Sequence, residues 1–341
     1  MADQTEFNQG RTGRIIRVGL GLIVGATFVV LAMRNVHFPE VGAILRRATV
    51  APLVLAIVAF VADFLLRAVR FWMMLQSATG RRLPLRLMIG PFIASFGMSD
   101  VLPLRVGDGF RVLWFSRQFD IPAGTVIGTM IVERILDLVT IVLLGAMSLA
   151  LVDLTAPPAL VWNFQLLLAI ALTGGLGMLF APALSYRLLE KLFRKINFGP
   201  IIILIAALRA ASEAVAQISS WRRLSMLSVM SFALWLLESG VFLGVWVSLG
   251  GSTDALLKPS LAFALSTLGT LVPSLPGHFG PFEFFGLQAF TLAGVDTSMA
   301  AAVVLLAHLI LWAPTALFGV GWLLSAATQK PDASSKIQSS V

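Results

Sequence analysis

Ionisable residues interrupt segments that are otherwise apolar, and a first group of them is Asp63, Arg67 and Arg70. At helical spacing the three fall within one narrow arc, where Asp63 and Arg67 can form an i,i+4 ion pair. Charged side chains within a membrane segment are costly and commonly mark a function. The group is therefore either an ion pair at the cytoplasmic end of a span or a site that contacts a lipid headgroup.

A second group consists of Glu133, Arg134 and Asp137, with both carboxylates on one face of a helix. One cation cannot neutralise two carboxylates, so a cation from another segment or a protonated acid is expected. Arg105 and Arg111 are the leading partners. The group either fixes helix packing as a buried network or takes part in substrate binding or proton coupling.

Two segments rich in proline and glycine, 102–111 and 273–283, break the apolar sequence. Each contains Leu-Pro, a glycine four residues after the proline, and then a carboxylate, Asp108 or Glu283. Proline and glycine within a membrane free backbone groups that protein or cavity water must satisfy. A matched pair of broken segments in two halves indicates the central site of a transporter, and an inverted repeat is one description of such a fold.

Three further features concern helix packing. Glu238 is the lone acid of its segment, so a protonated, hydrogen-bonded side chain is expected, and His308 is expected to be a packed histidine. The spacing Gly19-x-Gly21-x-x-x-Gly25 predicts a face on which another element packs closely.

The composition defines the class of protein to which these features belong. The 341 residues include 25 Lys and Arg and 17 Asp and Glu, and hydrophobic types make up 58%. Charged residues are 12% of the chain, about half the usual 25% of a soluble domain. These values exclude a cytosolic enzyme, a disordered chain and a secreted disulfide scaffold. They predict an all-α polytopic membrane protein.

The net charge of +8 indicates basic loops that face the cytoplasm and anionic headgroups, rather than a nucleic-acid partner. The chain has no cysteine and only three scattered histidines, so neither a metal site nor a cofactor is expected.

About eight membrane spans are predicted from the apolar segments. They are, approximately, 15–33, 50–68, 122–150, 160–182, 224–250, 257–275, 279–294 and 298–326. A further apolar segment, 88–99, is too short to cross a core of about 30 Å and should enter the membrane and turn back.

The positions of Lys and Arg predict that both termini are cytoplasmic. The chain is then a cytoplasmic N-terminus (1–14), one membrane domain (15–327) that includes a cytoplasmic amphipathic region (185–223), and a disordered cytoplasmic tail (328–341).

Four motifs follow one another along residues 15–327. They are Arg67-Ala-Val-Arg70-Phe-Trp72, Leu102-Pro103-Leu104-Arg105-Val106-Gly107-Asp108-Gly-Phe-Arg111, Val132-Glu133-Arg134-Ile-Leu-Asp137 and Leu275-Pro276-Gly277-His278-Phe279-Gly280-Pro-Phe-Glu283. In these motifs the chain resembles the flippase-like family typified by the membrane half of lysylphosphatidylglycerol synthases. The resemblance implies a polytopic helical fold with re-entrant segments around a lipid-accessible cavity, and a role in moving or handling amphipathic lipids.

The chain departs from that family at two places. Asp108 stands where the family usually has Glu, and His278 and Phe279 stand where Gly and Leu are usual, which suggests a different headgroup preference. Residues after 327 are too few for the soluble aminoacyl-transferase domain of those synthases, so lysine transfer is not expected.

The leading hypothesis is a lipid flippase or transporter of a bacterial inner membrane, not an enzyme, whose substrate is a phospholipid or a lipid-linked precursor. One alternative is a non-transporting accessory protein for an envelope lipid or glycolipid enzyme. Another is an intramembrane lipid-modifying enzyme whose carboxylates do acid–base chemistry. The candidate substrate-binding residues are Arg67, Arg70, Arg105, Asp108, Arg111, Glu133, Arg134, Asp137, His278 and Glu283.

A specific mechanism follows for three of these arginines. Arg105, Arg111 and Arg134 are expected to face one cavity and hold a headgroup phosphate through their planar donor forks. Glu133, Asp137 and Asp108 would pair with them while the site is empty.

Overall fold

The computed structural model describes residues 19–152 and 221–328, except Pro273, and scattered positions between 162 and 191. Every regular element within these residues is helical, which confirms the predicted all-α class. The predicted N-terminus (1–14), span 160–182, region 185–223 and tail (328–341) lie wholly or largely outside the described residues.

The helices are numbered here in chain order. They are α1 (Gly19–Met33), α2 (Phe38–Leu45), α3 (Val50–Thr79), α4 (Leu85–Val101), α5 (Val106–Phe119), α6 (Ala123–Leu151), α7 (Trp221–Ser248), α8 (Leu257–Gly269), α9 (Pro281–Leu292) and α10 (Thr297–Thr328). Short 3-10 turns lie at Pro103–Arg105, Thr253–Ala255 and Pro276–His278.

In the described part of the chain, four helices are long and apolar enough to cross a membrane: α3, α6, α7 and α10. The pair α1 and α2, bent by 79°, is a fifth candidate. The predicted spans 257–275 and 279–294 are instead the 13-residue helix α8 and the 12-residue helix α9. At 1.5 Å per residue they reach only about 20 Å, less than a core of about 30 Å. The sequence remains largely apolar between the two helices, although α8 ends at Gly269 and α9 begins only at Pro281.

The predicted short segment 88–99 belongs to α4, which joins α5 through the turn at Pro103–Arg105. The pairs α4–α5 and α8–α9 are thus two broken elements. The helix α10 contacts both broken elements, since it packs against α4 and against α9. The two elements also contact each other, because α4 packs against the turn at Pro276–His278. Around these pairs, α7 packs along α3 and α8 packs along α6.

Glycines allow the closest of these approaches. A Cβ on Gly97 of α4 would lie 1.9 Å from the backbone oxygen of Thr315 in α10, and a Cβ on Gly319 would lie 2.5 Å from the carbonyl carbon of Gly97. In α1, Gly25 packs on Leu275 and Gly21 packs on Ser274, so the predicted close-packing face contacts the second break. At Gly19, the first glycine of that spacing, an added Cβ would meet no atom of another element within 4 Å.

We expect Gly97→Ala to lower the free energy of unfolding by about 1–3 kcal/mol, because the added methyl group meets backbone that cannot rotate away. The thermal unfolding midpoint in detergent measures this effect. Gly109→Ala is the matched control, since a Cβ there meets nothing within 4 Å. Equal midpoints for the two variants would contradict the close crossing of α4 and α10.

Candidate functional site

The first break places Arg105 in an unusual backbone conformation. Leu102 is extended before Pro103, as the residue before a proline prefers, and the chain then turns through Leu104 (φ 63°) and Arg105 (φ 53°). Left-handed conformations of non-glycine residues are strained and are concentrated at functional sites. Arg105 therefore stands at the corner between α4 and α5, with an exposed side chain.

The second break repeats this backbone path. Leu275 precedes Pro276 with φ −55° and ψ 154°, and the two residues after the proline, Gly277 (φ 71°) and His278 (φ 61°), are left-handed. Arg105 and His278 thus occupy equivalent positions, two residues after the proline of each break. The sequence similarity of the two segments is matched by their backbones.

The two breaks converge on a pair of adjoining cavities, as their sequences predicted. The larger, about 520 Å³, has mainly apolar walls that include Leu22, Leu104 and Leu271, with Arg105 and His278 as its charged or titratable residues. The smaller, about 180 Å³, is lined by charged and aromatic residues. Both cavities share five lining residues: Ser99, Arg105, Thr270, Gly277 and His278.

Five of the ten predicted site residues line the smaller cavity: Arg67, Arg105, Asp108, Arg134 and His278. These five residues differ in whether they have an ion-pair partner. Arg134 lies 3.5 Å from Asp108, with 43% and 31% of the two side chains exposed. Within the described part of the chain, Arg105 has no hydrogen-bond or ion-pair partner.

The other five predicted residues lie behind the cavity walls: Arg70, Arg111, Glu133, Asp137 and Glu283. Arg70 binds both oxygens of Asp137, at 2.6 and 3.1 Å, and also bonds Ser231. Asp137 accepts a further hydrogen bond from the Trp235 indole, at 2.9 Å. This closed arrangement fixes α3, α6 and α7 to one another.

Arg111 and Glu133 form a second closed pair, in agreement with the predicted partnership. Arg111 reaches both carboxylate oxygens at 3.1 Å. Its guanidinium also lies 4.7–5.0 Å from the ring centroids of Phe71, Phe92 and Phe96. The expectation that Arg111 faces the cavity beside Arg105 and Arg134 is therefore wrong, because this ring cage and Glu133 already satisfy its charge.

Glu238, predicted as a lone acid, is also paired. It lines the smaller cavity and is bonded to Arg67, which bonds Asp63 at 2.8 Å as its i,i+4 spacing predicted. Arg67 also lies 4.3 Å from the centroid of the Trp235 ring. Its two carboxylate partners come from different helices, and only the i,i+4 partner was readable from spacing.

Side chains on one face of α10 form hydrogen bonds to residues near both breaks. His308 contacts the Glu283 carboxylate through Nδ1 and the Gly277 carbonyl oxygen through Nε2, the latter at 2.9 Å. A carbonyl oxygen only accepts, so Nε2 carries a proton and donates it. One turn and two turns further along, Trp312 and Thr315 donate to Asp100 of α4.

Sequence reasoning missed Asp100, Trp235 and Trp312 as cavity residues and assigned His308 only a packing role. Asp100 carried a usable signal, since it is an ionisable residue that directly precedes the first break. The two tryptophans carried none, because aromatic residues are common throughout membrane segments.

The fold and cavities define a polytopic α-helical membrane protein in which two broken helix pairs meet at a charged cavity. Residues 18–319 match the family model described as the lysylphosphatidylglycerol synthase TM region. The chain therefore belongs to this family, as its four motifs predicted.

Two relatives extend the similarity along most of the chain. Glycosyltransferase AglD of Haloferax volcanii is 25% identical over 349 residues, which cover 92% of this chain and 55% of AglD. The chain thus spans about half the length of that relative. UPF0104 membrane protein PH1989 of Pyrococcus horikoshii is 25% identical over 319 residues, which cover 88% of this chain and 94% of the relative.

Proposed function

We propose that this protein is a lipid flippase or lipid transporter, without an enzymatic step of its own, that moves a phospholipid or lipid-linked precursor across a bacterial inner membrane. The observation that carries the proposal is Arg105, which lines both cavities and has no polar partner among the described residues. A guanidinium that faces a cavity inside a membrane protein and has no polar partner is a candidate anion-binding group. A headgroup phosphate supplies that anion, since two of its oxygens match the guanidinium fork.

The two cavities suit the two parts of an amphipathic lipid. The smaller cavity offers cations, carboxylates and aromatic rings to a polar headgroup. The larger cavity offers mainly apolar walls to the glycerol and the first part of the acyl chains. Because Arg105 belongs to both walls, it is positioned for the phosphate that joins those parts.

The neighbouring pairs can compensate charge while a lipid enters. Arg134 and Asp108 are partly exposed and only 3.5 Å apart, so a phosphate can compete for Arg134. Arg67 forms an ion pair with Glu238 at the same cavity, and a phosphate could replace the Glu238 carboxylate there in the same way. His278 adds a further polar group, while the buried pairs of Arg70 and Arg111 keep the wall rigid.

Charge distribution supports the orientation in this proposal. Lys and Arg are concentrated before residue 18, between 81 and 86 and between 187 and 223, which favours cytoplasmic termini.

The test is lipid movement by the purified protein in liposomes. A fluorescent anionic phospholipid in the inner leaflet should become accessible to an external quencher faster than in protein-free vesicles. Vesicles containing an unrelated polytopic protein control for leakage. Equal rates in all three preparations would refute the transport function.

A second function, accessory protein to a glycolipid-synthesis enzyme, is favoured by one observation: a relative that aligns with 92% of this chain is named a glycosyltransferase. Such an accessory would hold a lipid-linked sugar in the same cavity without moving it. Copurification of a glycolipid-synthesis enzyme, together with no lipid movement by the pure protein, would favour this alternative.

A further inference from the structure

A buried network of five charged residues connects three of the spanning helices. Arg67 contacts Asp63 at 2.8 Å, Asp137 at 4.0 Å and Glu238. Asp137 in turn binds Arg70 at 2.6 Å. The most exposed of the five side chains, Glu238, is only 16% exposed. Water therefore contributes little to balancing their charges.

The charges of this network do not cancel when every member is ionised. Three carboxylates face two guanidiniums, which leaves one excess negative charge in a buried site. An uncompensated buried charge is strongly destabilising. A proton, a bound cation or an arginine of the neighbouring cavity wall, such as Arg105, must correct the imbalance. Within the described residues no group of three or more ligating side chains is placed to hold a metal ion. A headgroup phosphate that binds Arg105 removes the contribution of that arginine.

The hydrogen bonds of the network are incomplete at two atoms. Asp63 Oδ1 and Arg70 Nε are both buried and have no hydrogen-bond partner. The unbonded carboxylate oxygen agrees with an incompletely balanced network, and the charge count sets the imbalance at one proton.

Only one of the three carboxylates can exchange a proton with the cavity. Glu238 lines the smaller cavity, whereas Asp63 and Asp137 do not. Asp137 already accepts bonds from Arg70 and Trp235, which favour its ionised form.

We propose that Glu238 is a proton-binding site, and that uptake of a proton there accompanies entry of an anionic headgroup into the cavity. This inference rests on the proposed transport function. A phosphate at Arg105 and an ionised Glu238 would share one cavity of about 180 Å³ and repel each other. Loading of the anion therefore favours protonation of Glu238, and by linkage protonation favours loading to the same extent.

Other charged and titratable groups surround Glu238 and set the balance. They are Asp63 and Arg67 from α3, Arg134 and Asp137 from α6, Asp100, Arg105 and Asp108 around the first break, His278 at the second break and His308 from α10. Protonation of Glu238 would weaken its ion pair with Arg67, so that Arg67 could bind the phosphate as a second cation. The uptake of one proton would thus replace repulsion of the phosphate at this side of the cavity by attraction.

The experiment compares wild type with Glu238→Gln in two measurements. First, infrared difference spectra of the purified protein between alkaline and acidic buffer detect the C=O stretch of protonated carboxyl groups. We expect one component of the wild-type difference band to be missing in Glu238→Gln. Glu40→Gln serves as the matched control, because Glu40 bonds Ser298 outside both cavities and the network.

Second, movement of a fluorescent phosphatidylglycerol in liposomes is measured in mildly alkaline and mildly acidic buffer. Wild type should accelerate by about fivefold or more on acidification, as a typical coupling between two sites predicts. Glu238→Gln, which mimics the protonated side chain, should move lipid at a rate that no longer depends on pH.

The outcomes separate this inference from the transport function. Lipid movement with an unchanged pH dependence in Glu238→Gln, or an unchanged infrared difference band, would overturn the proton site and leave transport standing. A missing infrared component without lipid movement by any form of the protein would overturn transport and leave the proton site standing. Thermal unfolding midpoints verify that all three forms are folded.

Discussion

Arg105→Ala is expected to slow the movement of an anionic lipid by about 10- to 150-fold while leaving the protein folded. A hydrogen bond to a charged group contributes about 1.5–3 kcal/mol, and the rate changes tenfold for each 1.36 kcal/mol. Stability should not fall, because removal of Arg105 strands no partner among the described residues. The measurement is quencher accessibility of a fluorescent phosphatidylglycerol in liposomes, with the thermal unfolding midpoint determined in parallel.

Two further variants sharpen this test. Arg105→Lys keeps the charge but loses the planar fork, so an intermediate rate is expected. Arg117→Ala removes the same charge from an exposed position of α5 outside both cavities, and it should move lipid at the wild-type rate. A wild-type rate for folded Arg105→Ala would exclude a role of this guanidinium in lipid binding.

Arg70→Met has the largest expected effect on stability, a loss of about 3–5 kcal/mol in the free energy of unfolding. The substitution leaves Asp137 as a buried carboxylate without its closest cation, and such stranded charges are costly. Thermal or detergent-induced unfolding of the purified variant measures the loss. Arg134→Met is the control, because its partly exposed pair with Asp108 contributes at most about 1 kcal/mol.

A double variant distinguishes a stranded charge from lost packing. Arg70→Met combined with Asp137→Leu removes both members of the pair, and it should recover most of the stability lost by the single variant. If the double variant is as unstable as Arg70→Met, the loss of stability comes from packing around Arg70. The interpretation that Arg70 stabilises the fold by compensating the charge of Asp137 is then wrong.

Local patterns predicted the parts of the fold that depend on near neighbours. The pairing of Asp63 with Arg67 follows from helical spacing, and the position of each break follows from its proline. The class of protein followed from composition, because no soluble domain could bury so much apolar surface.

Spacing could not predict which partner each arginine takes from a distant helix. Arg70 and Asp137 are 67 residues apart, and Arg67 and Glu238 are 171 residues apart. By sequence alone, each acid could pair with any of several arginines. Which arginine it pairs with is determined by the packing of α3 against α6 and α7. For the same reason Arg111 was expected in the cavity, although the rings of Phe71, Phe92 and Phe96 enclose it.

Hydropathy also could not separate a full span from two half-length helices. The segments at α8 and α9 remain apolar through the turn between them, so they resemble two complete spans. The lengths of the helices become clear only in the structure, where α8 ends at Gly269 and α9 begins at Pro281.

The central claim is that a lipid headgroup enters the space between the two breaks, and photo-crosslinking tests it most directly. A phospholipid with a diazirine close to its headgroup is incorporated with the purified protein, irradiated, and the modified peptides are identified by mass spectrometry. We predict adducts on the segments 102–105, 271–272 and 274–278, which line the larger cavity. Adducts confined to the outward-facing side chains of α3, such as Val54, Val58 and Leu65, would contradict the claim.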